Sequence, residues 1–326
     1  MTKFKYEWKL SDGYPATGVN QHNSTVFTTF SCGGGSSMGY KLAGYNVIAA
    51  NDIDPNMQKI YEVNHHPAKY FLNDIRELID RTDLPDVDLL DSSPPCSVFS
   101  MAGYREKGWG VEKKFKEGQK KQTLDDLFFE TIKLVDKIRP KVFVGENVMG
   151  IIRGNAKKYA HEIVKRLDSL GYTTQVFVLN GADMGLPQRR ERVFFIANRL
   201  NKTINLQFNE QHVTFSDVSD ENDNTENLTD LYKEYWDLAS PGKSVGKFKA
   251  VRKLDYTKVP NTLVASHVNH HPRFKRTLNN KELFKIGSWP EDYNFLDQKP
   301  NYVIGMSVPP MMMAYVADEI YKQLLS

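Results

Sequence analysis

Short apolar runs of strand character alternate with helical segments up to residue 197, and no other feature constrains the fold of this chain so strongly. The strand-like runs are residues 26–30, 47–50, 87–91, 142–144, 176–179 and 193–197. Between them, residues 55–63, 124–138 and 156–170 read as helices. In the second helix Leu127, Phe128, Ile132, Val135 and Ile138 fall on one face and Pro140 ends the segment; Gly171 closes the third. This alternation predicts an α/β protein with a mainly parallel sheet and helices on both faces. Ligands bind such open sheets beyond the carboxyl ends of the strands, so the residues that follow each run carry the functional argument.

The composition changes after Asn198. Residues 215–235 are acidic and Asn-rich, and residues 240–271 are basic and broken by Gly and Pro. The expected organisation is an N-terminal arm (1–24), a large domain (25–199), a second, smaller domain (200–275) and a C-terminal segment (276–326). Within that last segment, residues 308–325 are helical, apolar on one side and expected to pack back on the large domain. A formal charge of +3 is too small to define a nucleic-acid binder without local clustering. With 2 cysteines in 326 residues the chain is no disulfide scaffold. No run is long and apolar enough to span a membrane, and residues 1–10 lack a signal-peptide core. A reducing, cytoplasmic setting is expected.

Several strand ends carry chemistry. Cys96 lies in Ser-Pro-Pro-Cys-Ser (93–97), where a double proline stiffens the backbone just past the third run. A thiol fixed there is a candidate nucleophile, although free cysteines are as often small buried apolar residues. The first run leads into the glycine stretch 30–39, where backbone can approach a ligand at a helix N-terminus. That stretch does not match GxGxxG and no Lys follows it, which disfavours phosphate. Asp52 ends the next strand, where a carboxylate can accept both ribose hydroxyls. Asp74 could hold an adenine amino group; either Asp could instead be a helix cap. Glu146 follows a buried strand, where desolvation raises a carboxyl pKa unless an Arg pairs with it. Gln188-Arg189-Arg190-Glu191-Arg192 precedes the last run, and extended geometry would turn Arg190 and Arg192 to one face. Residues 97–122 hold four glycines, four aromatics and many lysines, as a mobile lid or an ordinary solvated loop would.

Together these residues resemble the DNA (cytosine-5)-methyltransferases, in the family's order over nearly the whole chain. Phe30-Ser31-Cys32-Gly33-Gly34-Gly35 looks like the cofactor loop and Pro94-Pro95-Cys96-Ser97 like the nucleophile motif. Glu146-Asn147-Val148 and the Gln-x-Arg-x-Arg segment 188–192 match two more motifs. Arg276-Thr277-Leu278 with Glu282 and Trp289-Pro290, then Gly305 to Pro310, resemble the closing ones. The resemblance implies a Rossmann-like S-adenosylmethionine (SAM)-dependent sheet with a smaller target-recognition domain. It implies duplex DNA as partner, no metal, and a monomer, since one chain serves one target base. A bacterial or viral source would place it on the nucleoid. The implied catalytic residues are Cys96, Glu146, Arg190 and Arg192. Phe30, Cys32, Gly34, Gly35, Asp52, Ile53, Asp74, Ile75, Pro94 and Ser307 would meet the cofactor. Ser97, Ser100, Asn147, Gln188, Arg252 and Arg273 would meet the substrate. Lys253, His270 and His271 are further candidates for DNA contact, or part of a solvated basic face.

Three positions depart from the family pattern: Thr28 where Asp is usual, Cys32 where the first glycine stands, and Met306 where Asn follows Gly. Loss of that amide removes hydrogen-bonding capacity near cofactor and base. An RNA cytosine methyltransferase shares the same motifs and stays open here. A non-catalytic DNA-binding relative is countered by the presence of all four catalytic positions. An unrelated thiol hydrolase would need a histidine base, and none lies near the predicted strand ends. Host defence, self-protection of an invading genome and partnership with a nuclease also stay open.

Overall fold

The computed structural model describes residues 3–14, 22–95, 127–246 and 250–326. Cys96, Ser97, Ser100 and the expected lid at 97–122 lie outside the described residues. Seven strands form one sheet: β1 (Thr25–Thr29), β2 (Asn46–Asp52), β3 (Lys69–Leu72), β4 (Leu89–Ser92), β5 (Val142–Val148), β6 (Thr173–Asn180) and β7 (Glu191–Asn198). Their order is β3-β2-β1-β4-β5-β7-β6. The pairs β1–β2, β1–β4, β2–β3 and β4–β5 are parallel. β7 is antiparallel to both β5 and β6. The expected mainly parallel sheet is present, with one reversed strand. The β3 strand was not among the expected runs: Lys-Tyr-Phe-Leu on a sheet edge buries only Phe71 fully and gives no alternating signal.

Side-chain alternation builds a core on each face. Val26, Val142, Val144, Phe194 and Ile196 point into one, closed by α1 (Gly35–Leu42) and α10 (Pro310–Ile320). Their neighbours Phe27, Phe143, Val193, Phe195 and Ala197 point into the other. That second face is covered by α3 (Ile75–Leu78), α4 (Leu127–Ile138) and α5 (Lys157–Ser169). Strands buried on both faces read as continuous apolar runs, which is why the sequence shows them so plainly. The C-terminal helix α10 packs in the same core as Val26, Val142 and Val144 of the sheet.

A third core joins the two halves of the chain. Met38, Met57 and Ile60 come from α1 and α2 (Pro55–His65). They pack with Phe215 and Val218 of α6 (Phe215–Val218) and with Leu254, Leu263, Leu278, Leu283 and Trp289. The expected boundary near residue 200 therefore has no separate apolar core behind it among the described residues. The polar elements there are α7 (Asp230–Leu238) and the short hairpin β8 (Ser244–Val245) and β9 (Val251–Arg252); α8 (Asn280–Gly287) and α9 (Pro300–Met306) follow. Residues 3–14 lie across this segment. The N–H groups of Leu10 and Ser11 donate to Asp292 at 2.7 and 3.0 Å, and Trp8 Nε1 donates to the Ser288 carbonyl at 3.0 Å.

The acidic stretch is tied down by one buried ion pair. Arg276 and Glu282 are 1% and 0% exposed and meet through two bonds of 2.7 and 2.9 Å. The remaining guanidinium donors reach the carbonyls of Asp220, Asp223 and Thr277. Glu282 also accepts the Asn279 N–H at 2.9 Å, closing a capping box on α8. Removing one partner of such a pair leaves a buried charge uncompensated, at a cost of about 3–5 kcal/mol. Glu282→Gln should therefore lower the thermal midpoint sharply, and differential scanning calorimetry would register it; an unchanged midpoint would show that the network is dispensable.

Candidate active site

The carboxyl ends of the parallel strands converge on one edge of the sheet, and the reversed β7 begins there. Val148, at the end of β5, pairs with Arg192 near the start of β7. This register brings the segment 188–192, which precedes a strand, beside residues that follow strands. Arg192 Nε meets Glu146 Oε1 at 2.9 Å, with side chains only 13% and 10% exposed. Glu146 is thus a paired carboxylate, and the paired alternative read from the sequence is the one observed. Next to it Asn147, 3% exposed, donates from Nδ2 to the Pro94 carbonyl at 3.3 Å. That bond joins the end of β5 to the double proline that leads into Cys96.

The other arginines of this segment do different work. Arg190 is buried and donates to the carbonyls of Leu263 (3.0 Å), Ser307 (2.8 Å) and Gly305 (3.2 Å). Gln188 donates to the Ile286 carbonyl at 3.0 Å and accepts the Leu263 N–H at 3.0 Å. Arg189 reaches Asn261 Oδ1 at 2.9 Å. Arg190 and Arg192 thus meet different partners. Arg192 serves Glu146, while Arg190 and Gln188 clamp the segments around 263, 286 and 305–307 to the sheet, because backbone carbonyls buried there need donors.

The glycine stretch is shaped mainly by packing against the protein itself. A Cβ on Gly33 would collide with Val303, one on Gly35 with the Val308 carbonyl, and one on Gly39 with Met313. The glycines expected to admit a ligand thus first admit the returning C-terminal segment. Cys32 has a φ of +47° and Phe30 one of +53°. That left-handed conformation suits glycine, which is why a glycine is usual at position 32. Burial pushes the Cys32 thiol up to about 12, which favours its protonated form over the nucleophilic thiolate. Asp52 accepts the Cys32 N–H at 2.8 Å and the Asp54 N–H at 3.0 Å, and burial raises its pKa. Ile53 beside it is half-buried.

Asp74 caps α3 through the Arg76 N–H at 3.0 Å and pairs with the Arg76 guanidinium, so its cap reading is realised. Ile75 is buried in the core below. Ser307 Oγ donates to the Val303 carbonyl at 2.8 Å. Met306 projects 55% exposed between the two carbonyls that hold Arg190.

The basic candidates for DNA contact divide sharply. His270 and His271 are 3% and 0% exposed, and burial lowers both pKa values to about 4. Lys253 is buried, with Nζ 3.3 Å from the Trp236 ring centroid. These three are interior groups, a correction to the solvated basic face. Arg252 is half-buried, and its backbone N–H donates to His270 Nδ1 at 3.2 Å. Arg273 is exposed, paired with Glu221 at 3.1 Å.

Asp91 ends the third apolar run, and its type alone carries no signal of a buried role. It lies directly across from Thr28 in the sheet and accepts Thr28 Oγ1 at 2.9 Å and Tyr40 Oη at 3.1 Å. An acid at position 28 would face this carboxylate, and two buried like charges repel. Thr28 is therefore the partner of Asp91, which accounts for the first departure. Burial pushes Asp91 up to about 7 from 3.8.

The chain matches the family model described as C-5 cytosine-specific DNA methylase over residues 25–249. It is 32% identical to the type II methyltransferase M.FnuDI of Fusobacterium nucleatum over 69% of this chain, but spans only 59% of that relative. It is 30% identical to the type II methyltransferase M.Bsp6I of a Bacillus species, over 92% of this chain and 99% of the relative. Among solved structures it resembles a prophage-encoded E. coli protein described as a DNA modification methyltransferase. The TM-score is 0.73 at 20% identity, over 93% and 100% of the two chains. A mutant of Spodoptera frugiperda DNMT2 gives a TM-score of 0.65 at 16% identity, over 92% and 100%. At such identities the structures show a shared fold.

Because its folded pKa is raised, Asp91 contributes stability below its unfolded value of 3.8 that is lost as pH rises through about 7. Asp91→Asn removes that loss. Its thermal midpoint, relative to the parent protein, should climb between about pH 5 and about pH 8. Melting curves at the two pH values check this; a constant difference would place the ionisation elsewhere.

Proposed function

Because the chain belongs to the C-5 cytosine-specific DNA methylase family, we propose that it methylates carbon 5 of a cytosine turned out of duplex DNA, with Cys96 as nucleophile. The observation that carries this reading is the meeting of Glu146 and Arg192 at 2.9 Å beside Asn147, whose amide holds the Pro94 carbonyl. A carboxylate, a guanidinium and the approach to a thiol thus share one strand edge. Cytosine C5 is inaccessible in stacked DNA, so the base would leave the helix.

The Cys96 thiolate adds to C6 of the base. Negative charge then builds towards N3, and a proton delivered there through the Glu146 carboxyl neutralises it. Arg192 keeps that carboxyl aimed at the ring and favours charge separation at the site. When the C5 proton leaves to solvent and N3 returns its own, the C6–S bond breaks and Cys96 departs as thiolate. Arg190 and Gln188 act further back, by holding the segments that wall the pocket. SAM, bound at residues 30–35, would supply the electrophilic methyl group. The donor set fits it: Asp52 ends β2 for the ribose, and residues 30–37 contain no basic side chain that would suit a phosphate. Ser307, Pro94 and Ile53 would line the same cavity.

Residues 200–275 would recognise the DNA sequence, with Arg273 the most accessible of the basic candidates. On this reading the protein would partner a restriction nuclease and act as a monomer on DNA in the cytoplasm. No helix among the described residues is long and apolar enough to cross a membrane.

Nucleoside mass spectrometry on duplex DNA incubated with protein and SAM tests the reading. 5-Methylcytosine should form and fall by at least about a thousandfold in Cys96→Ala, consistent with loss of a covalent nucleophile. Modified cytosine in tRNA but not in duplex DNA would overturn the substrate assignment, and an active Cys96→Ala variant would overturn the nucleophile.

A further inference from the structure

The peptide between Gly33 and Gly34 is held from both sides. The Gly34 N–H donates to the Ser31 carbonyl at 2.8 Å. The Gly33 carbonyl, which has two lone pairs, accepts Tyr293 Oη and also His65 Nε2, the latter at 3.3 Å. Both side chains are buried, at 5% and 6% exposure, and come from distant parts of the chain. His65 ends α2, and Tyr293 follows the Trp289-Pro290 turn. A carbonyl can only accept, so His65 Nε2 carries the proton. Its Nδ1 has no partner among the described residues. Burial drives the ring pKa down to about 3, so the ring is a neutral donor at working pH.

Contacts around the two side chains leave them little freedom. A Cβ on Gly34 would collide with His65, so the ring lies against the loop backbone. Tyr61 packs on His65 with centroids 4.3 Å apart, and Trp289 packs edge-on against Tyr293 at 4.6 Å. Lys41 Nζ donates to the His65 carbonyl at 3.2 Å. Two peptides earlier, the Cys32 N–H is fixed by Asp52 at 2.8 Å. The Ser31 N–H also donates to the Asn51 carbonyl at 3.0 Å, so the backbone from residue 31 to 34 is held at several points, with two bonds on one carbonyl.

We propose that His65 and Tyr293 are positioning residues for methyl transfer: their shared grip on the Gly33 carbonyl holds the glycine loop in its donor-binding shape. The proposal rests on the reading that this loop binds SAM. A loop fixed before binding has less freedom to lose when the ligand arrives, so the latch should act on affinity for SAM rather than on the chemical step. Neither side chain touches the reacting atoms.

The test uses the full chain, with SAM titrated by calorimetry and methyl transfer measured at saturating SAM and duplex. Tyr293→Phe removes one oxygen, and His65→Leu removes the ring donor. Each should weaken SAM binding by about tenfold, the loss of roughly one buried hydrogen bond. The maximal rate should stay within about twofold, with KM for SAM rising in step. In His65→Gln the amide nitrogen can reach the Nε2 position, so affinity should largely return. Thermal melts of each variant separate affinity from folding. Unchanged SAM affinity in folded Tyr293→Phe would overturn the latch. So would His65→Gln behaving like His65→Leu, or maximal rate and affinity falling together with the folded fraction. If the parent protein itself bound no SAM, the reading of the loop would fall, and the latch with it.

Discussion

The antiparallel pairing of β7 with β5 sets Arg192 across from Val148, two residues beyond Glu146. In an all-parallel sheet the residues before a strand would lie at the opposite edge from the residues after its neighbours. Reversal of this one strand lets a basic segment that precedes a strand face the carboxylate that nearly ends another. The ion pair at 2.9 Å then fixes both side chains in a partly dehydrated setting. There a charge is effective towards a developing anion and costly to leave alone. The walls follow from the same segment, since Arg190 and Gln188 reach from it to residues 263, 286, 305 and 307.

The same returning C-terminal segment also packs against the glycine stretch. Gly33, Gly35 and Gly39 admit Val303, Val308 and Met313 so closely that none tolerates a Cβ. The glycine loop is therefore not a free loop that waits for a ligand. Its conformation is set by residues more than two hundred positions away, together with the carboxylate of Asp52. Cys32 keeps the left-handed backbone expected of glycine and adds a half-buried thiol, which is held protonated. Of the two cysteines in the sequence, Cys32 is thus the one whose thiol is held protonated, while Cys96 follows the double proline whose first carbonyl Asn147 holds.

Sheet class, helix order and the clustering of motif residues at one edge were legible, because buried central strands are continuous apolar runs and each ends in a chemically distinct residue. Direction was not legible: nothing in residues 191–198 marks β7 as reversed. Nor were the jobs of individual polar groups. Arg190, Gln188, His270 and His271 look like surface or substrate groups by type, yet the structure buries them on backbone atoms or in the core. Asp91, His65 and Tyr293 carried no local signal, because their partners lie in other strands and helices. The compositional change after Asn198 was real but marked no separate core, since Met38 and Met57 share theirs with Phe215 and Leu263.

The central claim is that Cys96, which follows Pro94 and Pro95 in the sequence, attacks a cytosine held outside the duplex. A duplex carrying 5-fluorocytosine at the target tests it most directly, because fluorine at C5 cannot leave as a proton and the adduct persists. With SAM present, a covalent complex should form, and peptide mass spectrometry should place the nucleotide on Cys96. Failure to form any adduct with DNA that is otherwise bound and methylated, or an adduct on Cys32, the only other cysteine in the sequence, would contradict the account.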